Sequence, residues 1–200
     1  MQYSVLALAG LLSGALSVLA FLPYIRDTLR GRTRPERASW LIWSVLSSTA
    51  FFSLIHEGAT SSLWFVGVQA AGTICVFLLS IKRGVGGFMR TSDRWVLCAA
   101  ALGLALWYVT DNAAYALAIT IVISALGGAV TVVKAFRSPG TETFSTWLAF
   151  LMSSALAVYS VGQLDPVLLA YPMYLATLYT AIVVAMLTGR AKTRRIAAAA

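Results

Sequence analysis

Long apolar runs broken by short polar stretches dominate this chain. Seven runs can be drawn, at Tyr3–Pro23, Ser39–Ile55, Ser62–Ile81, Trp95–Thr110, Ala113–Val133, Phe144–Gly162 and Pro166–Thr188. A helix needs about 20 apolar residues to cross the ~30 Å hydrocarbon core of a bilayer. The runs are of that length and use nearly all 200 residues, so no stretch remains for a separate soluble domain. The pattern predicts an all-α integral membrane protein with seven transmembrane helices.

The polar breaks carry the orientation. All 15 Lys and Arg residues fall on one side once the runs are threaded through a membrane. Arg26, Arg30, Arg32, Arg34 and Arg37 follow the first span, and Lys82, Arg83, Arg90 and Arg94 the third. Lys134 and Arg137 follow the fifth, and Arg190, Lys192, Arg194 and Arg195 the seventh. Short basic loops stay cytoplasmic, so the N-terminus is expected outside and the C-terminus inside. Glu57, Asp111 and Asp165 then mark the outer loops. The net charge of +8 in a chain that is 60% hydrophobic fits loops facing anionic headgroups better than nucleic acid. The first run lacks a basic n-region, so it does not read as a cleaved signal peptide. Cys75 and Cys98 lie within spans and imply neither a disulfide nor a metal site.

The chain is also internally duplicated. A shift of 107 residues lays the first two spans on the fifth and sixth, giving eight identities over Ser17–Ser53. Ser17 meets Ser124, Leu19 meets Leu126, Arg30 meets Arg137, and Trp40-Leu41 meets Trp147-Leu148. Ser47, Ala50 and Ser53 meet Ser154, Ala157 and Ser160. A shift of 105 then places Leu63 on Leu168, Ala71 on Ala176 and Gly84 on Gly189. Two copies in the same orientation require one extra crossing between them, and the fourth span supplies it. The expected organisation is a first three-helix bundle over 1–88, a linker helix within 89–112, a second bundle over 113–190 and a basic tail over 191–200.

This plan resembles the SWEET, or PQ-loop, superfamily, in its seven-helix bacterial form. The residues that carry the resemblance are Leu22-Pro23-Tyr24-Ile25-Arg26-Asp27, the basic turn after them, and Ala38-Ser39-Trp40-Leu41-Ile42-Trp43. Pro23 stands at the proline of the family dipeptide, whereas Tyr24 replaces its glutamine and the second repeat has Val130-Thr131 there. The paired asparagines of sugar-carrying members are absent, and Gln69 and Tyr174 are the nearest polar residues. The resemblance implies a 3+1+3 arrangement of two parallel repeats joined by an inversion-linker helix, in a bacterial inner membrane. It implies passive, alternating-access transport of a small neutral solute, a sugar being one option. Alternatives on the same fold are a non-transporting receptor or assembly factor, and a vitamin-precursor or amino-acid carrier.

Repeat-built carriers hold substrate near the midplane, between their halves. The candidate substrate-binding residues are Ser47 and its repeat mate Ser154, Trp43, Gln69, Thr73 one turn beyond it, and Tyr174. Small hydroxyls also serve helix packing, and an amide in lipid also serves as an interhelical bond. Candidate hinge or gate residues are Pro23, Tyr24, Tyr115 and Pro172, Pro23 being equally suited to ending the first helix. Tyr24, Trp40, Trp95 and Trp147 are placed by their order along the chain at the inner membrane boundary, and Trp64, Trp107, Tyr108 and Tyr171 at the outer one. No titratable residue falls in mid-span, which favours passive over ion-coupled movement. No nucleophile, metal or cofactor motif occurs, so neither an enzyme nor a cofactor is expected. The expected partners are a solute and the bilayer, not nucleic acid, and self-association is compatible with the pattern.

Overall fold

A computed structural model describes residues 2–86 and 113–199, together with positions 98, 101, 102, 105, 108 and 109. Among the described residues six helices are long and apolar enough to cross a membrane, as an integral membrane protein requires. They are α1 (Gln2–Leu29), α2 (Arg37–His56), α3 (Leu63–Arg83), α4 (Ala113–Arg137), α5 (Phe144–Val161) and α6 (Pro166–Ala199). Of the expected fourth span, only positions 98, 101, 102, 105, 108 and 109 are described, each helical, while Trp95, Trp107 and Asp111 lie outside the described residues.

Helix ends follow local chemistry. Glu36 caps α2 by accepting from the Ser39 amide at 2.7 Å. Asp165 Oδ1 accepts from the Val167 and Leu168 amides at 2.8 and 2.9 Å, with Pro166 at the first helical position, where its missing N–H costs nothing. Gly162 ends α5 at φ 70°, a left-handed conformation open to glycine without strain. Pro23 does not end its helix: α1 continues to Leu29, so the proline interrupts the hydrogen-bond ladder from within. Pro172 likewise lies inside α6. Pro23 therefore stands as a kink position rather than a stop.

The helices close into a ring in the order α1–α3–α2–α4–α6–α5. Contacts along each pair give their directions. Ser17 bonds Gln69, and Phe21 lies against Gly72 further along, so α1 and α3 run together. Ser124 bonds Tyr174, and Gly128 lies against Leu178, so α4 and α6 also run together. A Cβ on Gly72 would overlap the Phe21 ring, and one on Gly128 would sit 2.6 Å from Leu178 Cδ1. Both parallel pairs approach closely only because glycine stands there. Helices α2 and α5 run against these four, since Ser13 meets Ser153 whereas Ala20 meets Thr146, and Ser47 meets Thr73 whereas Arg37 meets Ser80. The two halves thus have the same helix order and direction. The basic ends of α1, α3, α4 and α6 share one face, while α4 begins on the opposite face from the end of α3.

Candidate functional site

A cavity of about 20 Å³ lies at the centre of the ring, room for about one water. Repeat-equivalent aromatics form its walls. Trp40 and Trp43 come from α2, with Trp147 and Phe150 at the matching positions of α5. Phe21, Tyr171, Leu175, Leu178 and Tyr179 complete the apolar lining, and Gln69, Thr73 and Ser124 are its polar members. Trp40 and Trp43 meet edge-on at 5.3 Å and 85°, Trp43 and Trp147 at 6.4 Å and 73°, while Phe150 and Tyr179 stack at 5.2 Å and 23°. Tyr24 packs beneath, against Trp40 at 5.0 Å and Trp147 at 6.2 Å.

The duplication reappears in the hydrogen bonding. Gln69 Nε2 lies 3.4 Å from Ser17 Oγ, and Tyr174 donates to Ser124 Oγ at 2.7 Å. These are the same two positions in each half, amide–serine in one and phenol–serine in the other. Gln69 from α3 and Tyr179 from α6 both border the cavity. Beyond Ser17 the chain of donors continues to Ser153 Oγ at 2.7 Å, which itself donates to the Ser13 carbonyl at 2.7 Å. Ser13 Oγ returns a bond to the Ser153 carbonyl at 2.7 Å.

The two seams between the halves differ as a result. Along α1–α5 the serine exchange is followed by Thr146 Oγ1 donating to the Ala20 carbonyl at 3.0 Å and by a Thr33–Thr143 hydroxyl pair at 2.7 Å. Thr143 in turn donates to Asp27 at 3.1 Å. The α2–α4 seam packs by van der Waals contact where Ile42 and the Trp43 indole face Gly127. The reason is legible in the repeat. The position matching Ser153 is Leu46, buried and without a hydroxyl.

The sequence candidates separate in the structure. Trp43, Gln69 and Thr73 line the cavity. Ser47 sits one bond behind, 2.8 Å from Thr73 Oγ1, while also donating to the Trp43 carbonyl at 2.5 Å. Ser154 is buried but turns to its own helix, donating to the Leu151 carbonyl at 2.9 Å. Tyr174 stands behind Ser124. Pro172 adjoins the lining residue Tyr171. Tyr115 is 53% exposed and does not border the cavity.

One expectation is corrected here. Trp40 and Trp147 are 3% and 2% exposed and belong to the interior, not to a lipid-facing belt; Tyr24 and Tyr171 are likewise buried. Order along a span gives depth, but helix rotation decides whether a ring faces lipid or protein. Glu142, in the loop after α4, has a side chain only 2% exposed. It accepts from Lys134 Nζ at 2.8 Å and from Trp147 Nε1 at 3.0 Å. Lys134 also donates to the Arg34 carbonyl at 3.1 Å, so the α4–α5 turn is bonded to the α1–α2 loop at the basic face. The spacing Glu142–Trp147 within a basic turn was the available signal.

One donor at the cavity has no partner. The Trp43 indole N–H is buried and unbonded, although buried N–H groups almost always find an acceptor. Compared with protein-family models, curated proteins and solved structures, the chain matches none.

Proposed function

We propose that the protein is a membrane carrier that moves a small neutral solute passively, by alternating access between two parallel three-helix halves joined by a seventh crossing, as the resemblance to the SWEET superfamily implies. The observation that carries this reading is the placement of the cavity. It lies between two halves of matched helix order, at repeat-equivalent aromatic positions, with an unmet donor on one of its lining residues. The opposite placement of the α3 end and the α4 start supports the extra crossing. The shared face of the basic helix ends supports a cytoplasmic C-terminus. Pockets for small molecules measure about 300–1,000 Å³, so a volume of about 20 Å³ corresponds to the closed state of the cycle. Helix kinks at Pro23 and Pro172 would let each half bend when it opens.

The small volume favours a second reading, a non-transporting receptor or assembly factor whose aromatic centre is permanently packed. A thermal-shift screen of the purified protein separates the two, because a specific binder raises the melting temperature by mass action. The carrier reading expects one solute class to stabilise the protein and to cross proteoliposomes down its own gradient, with no drive from an imposed pH or sodium gradient. Concentrative uptake on a proton gradient would refute the passive mechanism and direct attention to Glu142.

Orientation has its own test. In a background lacking Cys75 and Cys98, Glu57→Cys and Asp165→Cys should react with an impermeant thiol reagent on intact cells, and Ser138→Cys should not. Labelling of Ser138→Cys alone would invert the topology.

A further inference from the structure

The lining of the central cavity narrows the class of solute, given the carrier reading above. Among the described residues no charged side chain borders it. The adjacent carboxylate, Glu142, is already taken by the Lys134 ammonium and the Trp147 indole. A cation held among these rings would lack a counter-charge, and an anion would lack a basic partner, each costly in hydrocarbon.

The polar groups are also largely committed. Thr73 Oγ1 donates to the Gln69 carbonyl at 2.8 Å and is shared with Ser47. Ser124 accepts from Tyr174, and the Gln69 amide nitrogen lies 3.4 Å from Ser17 Oγ. Of the lining residues, Trp43 holds the buried donor that has no partner among the described residues, its indole N–H. A polyhydroxylated solute would bury several hydroxyls with few partners, and each unmet hydroxyl weighs against binding. A flat ring suits the walls, because aromatic surfaces set nearly at right angles offer one face for stacking and one edge for a T-shaped contact.

We infer that the solute is a neutral, planar heteroaromatic molecule whose ring nitrogen or carbonyl accepts from the Trp43 indole N–H, rather than the sugar that the family resemblance suggests. Opening of the halves enlarges the cavity around it, and Gly127, facing that indole without a side chain, leaves space on the α4 side.

The test uses the full-length protein in detergent with ¹⁵N-labelled tryptophan. Six tryptophans give six indole N–H signals, and the Trp43 signal is the one lost in Trp43→Phe. Uracil and nicotinamide serve as planar acceptor-bearing probes and glucose as the polyhydroxylated one. The Trp43 signal should move on addition of uracil or nicotinamide and stay in place with glucose. Trp43→Phe, which keeps a ring and removes the donor, should weaken that binding about three- to tenfold, the worth of one neutral hydrogen bond. If Trp43→Phe loses stability, the wild-type titration still decides. Three results overturn the inference: a shift with glucose alone, planar binding unchanged in Trp43→Phe, or no planar binding at millimolar concentration. Planar binding without flux in proteoliposomes removes the carrier reading and upholds this site. Flux of glucose with no response at Trp43 does the reverse.

Discussion

Trp147→Ala should destabilise the protein by about 3–5 kcal/mol, the range for truncating a fully buried large aromatic. In a chain of this size that corresponds to a fall in melting temperature of about 6–20 °C. The Trp147 ring contacts Tyr24, Trp43, Phe150 and Tyr179, so its removal leaves four aromatic neighbours around a void. In a membrane the loss is one of dispersion contacts rather than of hydrophobic transfer, since lipid tails are as apolar as the core. The indole also donates to Glu142, whose carboxylate would keep Lys134 and lose its second partner. Trp147→Phe isolates that second effect, and about 1–3 kcal/mol is expected for an unmet buried acceptor. Trp64→Ala is the control. That side chain is 59% exposed on the outside of the ring and should change stability by less than about 0.5 kcal/mol. Thermal unfolding in one detergent compares all three. Equal losses for Trp147→Ala and Trp64→Ala would show that the aromatic cluster does not hold the halves together.

Helix positions were legible from hydrophobicity because a bilayer imposes both length and composition on a span. Their mutual arrangement was legible only through the repeat. The 107- and 105-residue offsets pair Ser17 with Ser124 and Gln69 with Tyr174, and the structure bonds Gln69 to Ser17 and Tyr174 to Ser124. Rotation about each axis was not legible. The helices are apolar all round, because one face meets protein and the other lipid, so periodicity gives little sign of which is which. That is why Trp40 and Trp147 read as interfacial. It also explains the choice of Ser154 over Ser153: one residue is a rotation of about 100°, which turns the first toward its own backbone and the second into the serine exchange with α1. The burial of Glu142 was not legible either, because it depends on the loop packing against Trp147. For the fourth span, charge and repeat supplied the expectation, and the described residues bear on it through the helical positions 98, 101, 102, 105, 108 and 109 and through the opposite faces of the α3 end and the α4 start.

Locking the α2–α4 seam should abolish opening, whereas locking the α1–α5 seam should leave it nearly intact. If the halves move, the seam with hydrogen bonds along its length is the natural axis, and the seam held by packing at Gly127 is the one that parts. The α1–α5 bonds form in apolar surroundings, where breaking them would leave Ser13, Ser17 and Ser153 without water to replace their partners. Parting α2 from α4 at Gly127 breaks only dispersion contacts, which lipid or solute can replace. The experiment introduces Ile42→Cys with Gly127→Cys for one seam and Ser13→Cys with Ser153→Cys for the other, in a background lacking Cys75 and Cys98. The two positions of each pair are in contact, 3.8 Å from Ile42 Cγ2 to a Cβ built on Gly127 and 3.4 Å between the serine hydroxyls, so each pair is placed for a cysteine cross-link. Thr73→Cys in each background reports opening through its reaction with N-ethylmaleimide, a readout that needs no knowledge of the solute. Oxidation of the α2–α4 pair should protect Thr73→Cys completely, and dithiothreitol should restore its reactivity. Oxidation of the α1–α5 pair should leave the rate near that of the reduced protein. Equal protection by both locks would mean that the halves separate as rigid bodies with no spine. Protection that persists after reduction of either pair would mean that the aromatic centre never opens, which is the behaviour of the packed, non-transporting protein.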